Sequence, residues 1–163
     1  MSYRIETEIN LDQPIDRVFA FFADAGNLEA ITPPELKFRI LTPRPIEMRV
    51  GALIEYRLSL YGIPFSWLTE ISVWEPGVRF VDRQIRGPFR VWHHEHRFTS
   101  LGPTRTAIHD TVTYVLPLEP LGRVAHGLVR QSLDRIFDYR TERVPELIGA
   151  TETPAIYPRA AAR

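Results

Sequence analysis

The chain has 163 residues, in which twenty basic side chains balance twenty acidic ones, so it lacks the sustained basic field that nucleic acid or an anionic membrane surface requires. It contains no cysteine, which excludes disulfides, thiolate metal sites and cysteine nucleophiles. No stretch reaches the roughly 18 apolar residues of a membrane-spanning helix, and the N-terminal residues lack the apolar core of a secretory signal; a soluble, cytoplasmic protein without stable membrane insertion is expected.

The length suits one domain, placed here at residues 1–148 with a flexible tail over 149–163. Residues 3–11 (YRIETEINL) alternate polar and apolar, as a half-buried strand does. Pro14 opens a short helix whose apolar stripe is Ile15, Val18, Phe19 and Phe22. A second short helix is predicted over 28–34 (LEAITPP), stopped by the proline pair. Six strand-like runs follow, at 36–42, 52–61, 64–74, 78–86, 89–100 and 104–116, each bounded by proline or glycine. After Gly122 the period changes. Val124, Leu128, Ser132, Ile136, Tyr139, Arg143 and Leu147 then mark one face of a helix of about 25 residues, which Pro145 should kink or end.

One strand, two short helices, six strands and a long helix describe an α+β fold, a seven-stranded curved antiparallel sheet around a C-terminal helix, with space left between the two layers. Three segments, Asn27–Phe38 (NLEAITPPELKF), Gly87–Phe98 (GPFRVWHHEHRF) and Asp110–Tyr114 (DTVTY) leading to Pro117, resemble the START-like SRPBCC superfamily, and within it the polyketide cyclase/dehydratase-like ligand-binding proteins. The resemblance spans about residues 1–148 and implies a helix-grip fold with a deep cavity. Its members include lipid carriers, hormone receptors and polyketide aromatases, so it leaves the activity open.

Strand alternation divides the late strands into two faces. Phe80, Asp82 and Gln84 share one, as do Trp92, His94, His96 and Phe98, and again Ile108, Asp110, Val112, Tyr114 and Leu116. The aromatic sets should face inward, taking the polar groups with them. A three-residue turn at 87–89 places Asp82 beside His94, and another at 101–103 places His94 beside Asp110, giving an Asp82, His94, Asp110 row across three strands. A two-residue turn at either hairpin would break that row. The row either orients a polar ligand group, or moves protons with His94 and Asp110 as acid and base, or is a satisfied network that pins strand register. Tyr56, Trp67, Phe80, Trp92 and Tyr114 are candidate cavity walls or plain core, and Leu128, Ser132 and Ile136 are the candidate ligand contacts from the helix. Arg140 and Arg143 either close one end of the cavity or lie in solvent. His93 and His109 should be exposed; His126 receives no role. The His-x-His pair with Asp110 is a weak metal signal, and neither a metal nor another cofactor is expected. No phosphate loop or nucleophile elbow is present. The expected function is binding or carriage of a small hydrophobic molecule with a polar group, by a monomer or homodimer and without nucleic acid. A polyketide cyclase/dehydratase is the alternative.

Overall fold

A computed structural model describes residues 1–118 and 121–150. Strand β1 (Ser2–Leu11) leads into helix α1 (Ile15–Ala23). Strands β2 (Arg39–Ile40), β3 (Leu53–Leu60), β4 (Ile63–Glu75), β5 (Arg79–Arg86), β6 (Val91–Gly102) and β7 (Arg105–Val115) follow, and the described chain ends in helix α2 (Leu121–Ala150). The seven strands form one antiparallel sheet in the order β1-β7-β6-β5-β4-β3-β2. Neighbours in sequence are neighbours in space except at β1, which closes onto β7. The expected helix-grip architecture is therefore observed.

Local chemistry sets the details. The Pro14 carbonyl accepts the first helical hydrogen bonds, from the Arg17 and Val18 amides at 3.1 Å each, and α1 buries Val18, Phe19 and Phe22. The helix expected over 28–34 is not there. Two short 3-10 turns, Ala25–Leu28 and Pro34–Leu36, take its place, because Pro33 and Pro34 supply no amide protons while the Asp24 carboxylate accepts from the Gly26 amide at 2.8 Å. The strand expected over 36–42 shrinks to Arg39–Ile40 because Lys37 takes a left-handed conformation (φ 47°) and ends the preceding turn. Helix α2 passes through Pro145. One helical hydrogen bond is lost there, but Val144 and Ile148 are buried to 0% and 1% exposure and hold the turn on both sides of the proline. Of the tail expected over 149–163, residues from 151 on lie outside the described residues.

Two apolar clusters lie between sheet and helices. One contains Phe19, Phe22, Phe80, Phe98, Ile108, Val144 and Ile148 and packs beneath α1. The other contains Ile54, Tyr56, Trp67, Trp92, Tyr114, Leu133 and Phe137. His94 and His96 stand on β6 between Trp92 of the second cluster and Phe98 of the first. No helix among the described residues is long and apolar enough to cross a membrane.

Candidate functional site

Strand alternation delivers the inward set as expected: Trp92, His94, His96 and Phe98 are buried on β6, and Ile108, Asp110, Val112 and Tyr114 on β7. His93 and His109 are exposed. Asp82 pairs with His94 and Phe80 with His96 across β5 and β6. The β6–β7 register differs from expectation by two residues: His96, not His94, lies opposite Asp110, and His94 lies opposite Val112. Here the turn between Gly102 and Arg105 does hold only two residues, but a bulge between Ser100 and Gly102 absorbs one more. The bulge restores the parity that the short turn would have reversed.

The polar groups form a compact cluster rather than a row. The Asp82 Oδ2 atom lies 3.4 Å from His94 Nδ1 and 3.2 Å from His96 Nε2. On the far side, Asp110 Oδ1 lies 3.5 Å from His94 Nε2 and 2.6 Å from His96 Nδ1. Each imidazole is thus held between two carboxylates. Only the His96 to Asp82 contact is aligned as a hydrogen bond; the contacts to Asp110 miss the N–H direction, leaving both Asp110 oxygens without an aligned donor. Arg140, from α2, brings Nη1 to 3.8 Å from Asp110 Oδ2 and sets its guanidinium 5.2 Å from the Phe137 ring centre.

Electrostatics separates the two histidines. Burial disfavours the charged form of His96, but the carboxylates of Asp110 and Asp82 together outweigh it and raise its pKa. His94 is lowered, first by burial and then by the charge of His96. Asp110 is buried, which alone would raise its pKa, yet the two histidines hold it well below the usual carboxylate range. Asp82 is lowered less, against burial, by His94, His96 and Arg140. The Tyr56 hydroxyl is pushed well above its ordinary value by burial and by Asp82, so it stays neutral.

A cavity of about 500 Å³ opens beside this cluster, within the usual size of small-molecule sites. Of the residues singled out from sequence, Tyr56, Trp67, Phe80, Asp82, Trp92, His94, His96, Ser132 and Ile136 line it. Five do not. Gln84 is occupied at the β5–β6 turn, where its Nε2 donates to the Phe89 carbonyl at 2.6 Å and its Oε1 accepts from the Phe89 amide at 3.3 Å. Phe98 packs edge-on against Phe19 and Phe22 in the neighbouring core. Asp110 stands behind the imidazoles. Tyr114 is fully buried and shares a 3.3 Å hydrogen bond with His126, which also stacks on Tyr3.

The fifth is Leu128, which is 59% exposed. The face of α2 that meets the sheet is Leu133, Phe137, Arg140, Val144 and Ile148, flanked by Val129 and Ile136. It lies one residue from the predicted stripe, whose first members Val124 and Leu128 point to solvent. A charged residue in the middle of the true stripe hides it from a search for apolar periodicity. Leu128→Ser is accordingly expected to change the unfolding free energy by less than about 0.5 kcal/mol, measured by urea denaturation; a larger loss would mean that this turn of α2 is packed. Phe21, Phe22, Leu36, Phe38, Met48 and Phe89 also line the cavity. They come from α1, turns and loops, where alternation carries no inward signal. Arg140 lines it as well.

The sequence profile described as polyketide cyclase / dehydrase and lipid transport matches residues 11–138. No curated protein is similar enough in sequence to match. Among solved structures, the chain is similar to the Zhui aromatase/cyclase from Streptomyces sp. R1128, at 18% identity and TM-score 0.75, covering 91% of this chain and 94% of that one. It is similar to a START superfamily protein from Mycobacterium smegmatis at 16% identity and TM-score 0.63, over 88% and 98% of the two chains. Norcoclaurine synthase from Thalictrum flavum, in complex with dopamine and hydroxybenzaldehyde, is similar at 11% identity and TM-score 0.65, over 93% and 90%. At these identities the likeness is one of fold.

Proposed function

Because the chain belongs to the polyketide cyclase/dehydrase and lipid transport family, we propose that it binds one small, largely apolar molecule carrying a polar group, inside the cavity between sheet and α2. The observation behind this is the cavity wall itself: aromatic and aliphatic side chains surround about 500 Å³, and Asp82, His94, His96 and Arg140 bring a cluster of ionisable groups to one part of it. Apolar contacts would supply affinity and the polar cluster orientation. The cluster also supports a second reading, cyclase/dehydratase-type proton transfer, since His96 is held towards its charged form at the cavity wall. In that case the histidines would face the substrate, while Asp110, which does not line the cavity, would position them.

Trp67 and Trp92 line the cavity, so their fluorescence reports its occupancy. Titration with aliphatic and aromatic ketones, phenols and carboxylic acids is expected to give saturable quenching at one site. Ile136→Trp, which fills the cavity from the helix side, is expected to weaken binding at least about tenfold, or about 1.4 kcal/mol. Equal affinity in the variant would place the bound molecule elsewhere and remove the proposal.

A further inference from the structure

The cluster at the cavity wall brings donor atoms of three residues close together. Asp82, His94 and His96 offer one oxygen and two nitrogens that all lie within 4.8 Å of one another. Two of the three edges are 3.2 and 3.4 Å and meet at Asp82 Oδ2. A tetrahedral ion with bonds of about 2.0–2.2 Å sets neighbouring donors about 3.3–3.6 Å apart. These two edges are close to those of a metal polyhedron; the shorter is also an aligned hydrogen bond, while 3.4 Å is long for one between imidazole and carboxylate.

The opposite sides of the rings carry the support such a site needs. His94 Nε2 and His96 Nδ1 both turn away from Asp82 towards Asp110 Oδ1 and are buried without an aligned partner. A carboxylate behind the ligating imidazole fixes its tautomer and ring orientation. Asp110 Oδ1 lies 3.5 Å from the first nitrogen and 2.6 Å from the second, so a small ring rotation would let it accept from either. Asp82, His94 and His96 all line the cavity, so a fourth position would open on the space where a ligand lies, as in zinc sites that bind water or substrate. Two imidazoles and one carboxylate suit zinc and its neighbours better than calcium or magnesium, which take oxygen sets.

From this geometry we propose that Asp82, His94 and His96 bind a divalent transition metal of the zinc type, with Asp110 as the group that orients both imidazoles. With neutral histidines, the metal, the two carboxylates and Arg140 leave one excess positive charge. The open position then suits an anionic oxygen, such as hydroxide or the enolate, phenolate or carboxylate of a cavity ligand. The metal site itself does not depend on the ligand-binding proposal.

The test uses the full, untagged chain after chelation, with cobalt(II) as the probe and zinc(II) as competitor. One equivalent of cobalt is expected to bind and to develop the visible absorption of a tetrahedral site, which zinc then abolishes. Asp82→Asn, at a half-buried position on the cavity side, is expected to lower cobalt affinity at least tenfold while near-ultraviolet circular dichroism stays native. The proposal is overturned by the absence of a visible band at millimolar cobalt. It is equally overturned if the band and affinity persist in the folded Asp82→Asn protein, which would assign the ion to exposed histidines such as His93 or His109. Failure of the ligand titrations, performed without metal, would leave this result untouched and sink only the ligand-binding proposal.

Discussion

Asp110→Ala is expected to lower the unfolding free energy by about 3–5 kcal/mol, the cost of removing one partner from a buried ion cluster. The carboxylate is 1% exposed and faces His94, His96 and Arg140, whose side chains are only 6–7% exposed. Among the described residues it is the one acidic group in contact with all three; Asp82 reaches the histidines from the other side. Without Asp110, the guanidinium of Arg140 would have no carboxylate within ion-pair distance among the described residues. The pH dependence has a defined sign. Asp110 has a folded pKa well below its ordinary value, so its ionised form contributes stability above about pH 4, and that contribution is lost as pH falls through the folded value. Urea unfolding of the metal-free protein between pH 6 and pH 3 should show the difference between wild type and variant narrowing only below about pH 4. A loss of less than about 1 kcal/mol at pH 6 would show that water enters the cluster and replaces the carboxylate.

Phe19→Ala is expected to cost a similar amount, about 3–5 kcal/mol, but by a different route and with a different functional outcome. Phe19 is 2% exposed, and its ring lies 5.2 Å from Trp74, 5.1 Å from Phe98 and 6.3 Å from Phe80 between ring centres. Truncation leaves a void in the cluster that attaches α1 to the sheet. Phe19 does not line the cavity, although its neighbours Phe22 and Phe80 do. Tryptophan quenching by any cavity ligand should therefore keep its midpoint in the folded variant. A weakened ligand with unchanged stability would mean that Phe19 belongs to the binding site and not to the packing beneath α1.

Much of the site was legible from alternation alone. The period of two along β6 and β7 assigns His94, His96 and Asp110 to the aromatic face without any knowledge of the register, and the β5–β6 turn sets Asp82 beside His94. Which histidine meets Asp110 was not legible. It depends on a bulge at Ser100–Gly102, a local irregularity that Leu101-Gly102-Pro103 permits but does not specify. The walls supplied by α1 and loop residues such as Phe22, Phe38 and Met48 were also out of reach, since only tertiary packing decides where an irregular segment turns its side chains.

The succession of elements, the inward parity of the late strands and the long C-terminal helix follow from the sequence by itself, because side-chain period and turn chemistry are local properties. The rotation of α2 does not. Leu128 and Arg140 are respectively apolar and charged, yet the first lies in solvent and the second is buried at 6% exposure beside Asp110. A buried carboxylate on the sheet makes an inward arginine favourable, and that partner lies thirty residues away in the chain, so only the assembled layers decide it.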